Sequence, residues 1–237
     1  VVGADSALSA EVTTLAEALR EAGFATAAFV ETATGADATG LDQGFDTFQV
    51  AEAAGEAAVT WIRANSRVPF LAVISGWAPP AFDITAVERY AGEAPVGFAE
   101  RLGETLLEPG AAVLTDEDQA YLARAYEARI AMLDERLGAF MDAFHDMGLD
   151  RNTTLVVTAT CGRDLGDHEA GEAGVYATTT RVPLLMRLPE GRDARMVDEV
   201  VELVDVMPTL LELAAAPVPQ AVQGASLLPI LDGAGTP

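Results

Sequence analysis

No lysine occurs among these 237 residues; all fourteen basic side chains are arginine, set against 37 acidic ones for a net charge of −23. Such a surface repels nucleic acid and anionic lipid, so neither is expected as a partner. A single cysteine excludes an internal disulfide framework and a cysteine-based zinc site. No apolar run approaches the ~20 residues that a membrane helix needs, so no membrane insertion is expected. The opening stretch VVGADSALSAEV has neither a positive n-region nor a long apolar h-region, and shows no signal peptide. What is present is apolar bulk. Half the residues are hydrophobic, enough for a sizeable core and too many for intrinsic disorder. The acidity would suit high salt or a cationic partner, but compositional bias in the source genome is the simpler account.

Strand-like and helix-like segments alternate along the chain. Val12, Leu15, Ala16 and Leu19 recur at helical spacing, with Gly23 where a helix ends, and 24-FATAAFV-30 follows as a strand. Residues 35–48 read as a Gly/Asp-rich loop, 51–64 as an Ala-rich helix, and 69-PFLAVIS-75 as a buried strand. Residues 83–114, with Gly, Pro and scattered charge, read as an excursion from the core. Thr115 and Asp118 resemble a capping box that opens a helix through about Met147, with the apolar stripe Leu122, Tyr126, Ile130, Leu133, Leu137, Phe140 and Phe144. Strands are expected at 154-TLVVTAT-160 and 181-RVPLLMRL-188, with helix or strand at 196–205 and a helix at 208-PTLLELAAA-216. The alternation predicts an α/β fold with a mainly parallel, doubly wound sheet, spanning residues 1–216, and an extended tail with one apolar clasp over 217–237. In such a sheet, ligands sit in loops at the carboxyl ends of strands, here after residues 30, 75 and 160.

Several short segments, in one order, resemble the sulfatase family of the alkaline phosphatase superfamily. They are 15-LAEALREAGFATAAFV-30, 44-GFDTF-48, 69-PFLAVISGWAPPAF-82, 126-YEARIAMLDERLG-138, 149-LDRNTTLVVTATCGRDLGDH-168, 181-RVPLLMRLP-189, 205-DVMPTLLELA-214 and 222-VQGASLLPIL-231. The resemblance implies an alkaline phosphatase-like fold whose N-terminal part is missing here, and hydrolysis of sulfate or phosphate esters. It also implies a divalent metal, usually calcium, held by carboxylates, and a Cys-derived formylglycine or Ser/Thr nucleophile. Histidine and lysine would neutralise the transferred group and protonate the leaving oxygen.

Carried over residue by residue, that chemistry is not matched. The family's "SDHG" Asp and His fall on Thr160 and Cys161, and the two His of its "H…PH" loop fall on Ser75 and Pro80. A neutral hydroxyl does not replace a metal-bound carboxylate, and a thiol is a poor calcium ligand. The expected Lys has no counterpart, and the segment bearing the nucleophile (Cys/Ser-x-Pro-x-Arg) and an Asp-Asp pair would lie before Val1. No catalytic, cofactor-binding or metal-ligating residue is therefore assigned, and no cofactor is expected unless an enzyme reading holds, which would call for calcium or another divalent metal.

The remaining polar residues are read as follows. His168 with Asp164 and Asp167 would make a cation site, but an acidic loop left from the ancestral turn is favoured. His145 is read as a helix-terminal cation or a solvated residue, Cys161 as a semi-buried inert thiol, and Asp134 as structural. Arg163 would compensate charge where a metal once sat; binding of a sulfated or phosphorylated ligand without turnover would need Arg163 and Arg181 as its cations, and the surrounding acidity argues against it. Trp61 and Trp77 are read as packing residues. The expectation is a catalytically inactive sulfatase-like domain, acting as a structural, interaction or regulatory module with a protein partner. The alternative is the C-terminal part of a split or truncated metal-dependent ester hydrolase.

Overall fold

The computed structural model describes residues 7–31, 40–76, 84–99, 101–102, 114–162, 175–189 and 194–233. The chain divides into two compact units, one of residues 1–77 with 193–237, the other of residues 78–192.

In the first unit, helix α1 (Leu15–Glu21) opens on a complete capping box. The Glu17 N–H donates to Thr14 Oγ1 at 3.1 Å and the Thr14 N–H to Glu17 Oε2 at 2.9 Å. Past the helix, Gly23 takes φ +90°, a conformation open to glycine, and turns the chain into β1 (Ala25–Val30). β1 is the centre of a three-stranded parallel sheet, between β2 (Thr47–Val50) and β3 (Phe70–Ser75). Its inner residues Thr26, Ala27, Ala28 and Phe29 are buried, as a central parallel strand requires. Helix α2 (Ala54–Asn65) connects β2 to β3 and buries Ala54, Ala58 and Ile62, while Trp61 packs edge-on against Phe29 and Phe70. That is the packing role expected of Trp61; Trp77 lies outside the described residues.

β2 corrects the expected loop over 35–48, whose last two residues, Thr47 and Phe48, begin this strand. The 44-GFDTF-48 segment owes its form to anchoring. Thr26 Oγ1 donates to the Gly44 carbonyl at 2.9 Å, and the Thr26 N–H donates to Asp46 Oδ2 at 3.1 Å. Gly44 has φ +92°, and a Cβ there would lie 2.5 Å from the Glu17 nitrogen. Helix α1, Gly44 and β1 are thus pinned at one corner.

The tail closes this unit. Residues 196–205 form neither the helix nor the strand anticipated, apart from a 3₁₀ turn at Leu203–Asp205 that leads into helix α6 (Val206–Leu213). Leu211, with no exposed surface, packs with Ala18, Leu19 and Ala216. Asp205 Oδ1 accepts from the Ala225 N–H at 2.9 Å, and Thr209 Oγ1 accepts from the buried Leu227 N–H at 2.8 Å. These two bonds hold the apolar clasp, where Leu227 and, within the short helix α7 (Leu228–Leu231), Ile230 are buried.

The second unit is built on helices α3 (Ile84–Ala91) and α4 (Asp116–Asp146). The region read as an excursion carries a core of its own: Val87, Ala91 and Phe98 pack with Tyr121 and Ala128 of α4. The Phe98 and Tyr121 rings meet edge-on at 4.9 Å. The buried face of α4 is correspondingly displaced from the expected stripe. Phe140 and Phe144 are buried as anticipated, but Asp118, Tyr121 and Ala128 complete the face, while Tyr126 and Ile130 are exposed. Gly148, at φ +69°, ends the helix region, and a 3₁₀ turn (Leu149–Arg151) leads to β4 (Leu155–Thr158). β4 pairs antiparallel with β5 (Leu184–Arg187), and a one-turn helix α5 (Ala177–Thr180) precedes β5. Among the described residues no helix is long and apolar enough to cross a membrane.

Candidate functional site

Two strand-to-loop junctions carry the positions singled out in the sequence. The first is the end of β3. Ser75 is exposed there, and its carbonyl accepts from the Glu31 N–H at 3.1 Å. Gly76 follows with φ +89°, and a Cβ on it would lie 2.9 Å from Glu31 Cβ. Glycine is needed because the chain leaves the sheet hard against the end of β1. Pro80, the second position of this loop, lies outside the described residues.

The second junction is the end of β4. Thr160 and Cys161 are both exposed, and the Thr160 hydroxyl lies 3.9 Å from Cys161 Sγ. Cys161 therefore differs from the expected semi-buried thiol: the strand ends at Thr158, two residues earlier than anticipated, which carries the thiol beyond the sheet's cover. Gly162 donates its N–H to the Thr179 carbonyl at 2.9 Å, and a Cβ at Gly162 would collide with the Thr178 carbonyl oxygen. The glycine of this motif is thus a spacer that lets the loop lie on α5. Thr178 Oγ1 is buried there with no hydrogen-bond partner among the described residues. Arg181, just past α5, is exposed. Arg163, Asp164, Asp167 and His168 lie outside the described residues.

Among the described residues no three His, Cys, Asp or Glu side chains converge as a metal-binding group. The side chains that do form charged clusters lie elsewhere in the second unit. The carboxylate of Asp118 accepts from Arg101 Nε–H at 2.7 Å and Nη2–H at 2.6 Å, and from the Thr115 N–H at 2.9 Å. The Arg101 guanidinium holds the Asp118 carboxyl well below the usual carboxylate range, with the Thr115 bonds acting in the same direction. At the far end of α4, Asp150 bonds Arg187 and lies 2.5 Å from His145 Nδ1, and the Arg187 guanidinium lowers its pKa. His145 is exposed in the last turn of α4, in keeping with its reading as a helix-terminal or solvated residue. Asp134 is exposed on the same helix. Neither charged cluster was anticipated from sequence, although Asp118 at the third position of a capping box was the available signal.

A family profile, described as Sulfatase, matches residues 51–216. The chain is 34% identical over 113 residues to an arylsulfatase of Clostridium perfringens, covering 46% of this chain and 24% of that protein. It is 33% identical over 128 residues to an N-acetylglucosamine-6-O-sulfatase of Bacteroides thetaiotaomicron, covering 53% of this chain and 23% of that protein. The matched part is thus about a quarter of each relative's length. Among solved structures, the fold overlays a 2-O GAG sulfatase with a TM-score of 0.71 at 22% identity, covering 96% of this chain and 58% of that one. It overlays a phosphonate monoester hydrolase of Silicibacter pomeroyi with a TM-score of 0.68 at 19% identity, covering 100% of this chain and 64% of that one. These overlays show the α/β fold, with a parallel sheet and flanking helices. The profile covers well over half of these residues, and the chain belongs to the Sulfatase family.

Proposed function

We propose that this chain is a sulfatase-like domain that works without catalysis, as a structural, interaction or regulatory module. The observation that carries the reading is the pair at the end of β4. Where the family resemblance puts a carboxylate and an imidazole, the chain presents the hydroxyl of Thr160 and the thiol of Cys161, both open to solvent. A dication that polarises a sulfate or phosphate ester is a hard acid and wants anionic oxygen; neither side chain offers it. Ser75, at the end of β3, likewise offers a hydroxyl where a positive or proton-donating ring would serve the transferred group. The test is an assay with 4-nitrophenyl sulfate and 4-nitrophenyl phosphate, with and without added calcium. No turnover above background is expected. Turnover abolished by a chelator would overturn the reading.

The second reading, part of a split or truncated ester hydrolase, is favoured by one observation. Almost the whole of this chain overlays the 2-O GAG sulfatase and the phosphonate monoester hydrolase, yet it covers only 58% and 64% of their lengths. Under this reading a further segment supplies the nucleophile. Chelator-sensitive turnover after addition of a Cys/Ser-x-Pro-x-Arg-bearing segment would favour it over the first.

A further inference from the structure

We draw no further inference here: the strongest candidate, the surface patch of exposed apolar side chains Met196, Val200 and Val204 on the segment that leads into α6, carries nothing, because nothing among the described residues shows what covers it.

Discussion

Asp118 is a charged side chain with no exposed surface, and its tolerance of that position depends on its partners. Burial alone would favour the neutral acid, but two guanidinium N–H groups and two groups of Thr115 reverse the preference. The folded pKa lies below the unfolded one, near 3.9. A depressed carboxylate contributes stability above its unfolded pKa, and that contribution is lost as pH falls through the folded value. The expected outcome for Asp118→Asn is therefore a clear drop in thermal midpoint at neutral pH, with the gap to the parent chain narrowing below about pH 4. Thermal melts of both proteins across pH 2.5 to 7 check this. A gap independent of pH would show that shape rather than charge matters at this position. Apolar periodicity could not have found Asp118, since it counts the wrong kind of atom.

At the scale of elements, strands were the more legible. β1, β3, β4 and β5 are apolar runs bounded by Gly, Pro or polar residues, and burial in the sheet demands that composition. β2 escaped notice because TFQV is short and half exposed, and becomes a strand only through its pairing with β1. The 84–91 helix was hidden by its Gly- and Pro-containing surroundings. In α4 the spacing of apolar residues was real but the first half of its face differs, because α3 and Phe98 cover Tyr121 and Ala128, while Phe140 and Phe144 are buried as expected. The difference yields paired expectations. Leu211→Ala, in the α1–α6 contact, should cost about 2–5 kcal/mol through lost burial and an unfilled cavity. Ile130→Ala, in the stripe predicted from sequence but 49% exposed, should change stability by no more than about 0.5 kcal/mol. Urea denaturation of the two variants separates these outcomes, and comparable losses would restore the stripe as the buried face.

At the scale of the molecule, charge dominates. Thirty-seven carboxylates against fourteen guanidinium groups leave −23 on a 24.7 kDa chain, a self-repulsion that opposes compactness. Salt screens exposed charges, with a Debye length of about 10 Å at 0.1 M. Raising sodium chloride from about 0.02 to 0.5 M should therefore raise the thermal midpoint, by several degrees for a chain of this charge. Scanning calorimetry over that range checks the direction. A midpoint that falls would mean that paired charges such as Arg101–Asp118 outweigh the repulsion. As for the candidate site, positions 75, 160 and 161 are singled out by the resemblance of their flanking segments, whereas the exposure of Cys161 was not legible, since it depends on where β4 stops.

The contact between Gly162 and the Thr178 carbonyl has a consequence for recognising such chains by pattern. A residue that must stay small so that a loop can rest on a neighbouring helix is constrained by packing, whatever chemistry its neighbours in sequence carry. Scoring a candidate hydrolase by its glycines rewards inheritance of a shape. The two residues before that glycine, Thr160 and Cys161, are the ones on which the non-catalytic reading proposed above turns.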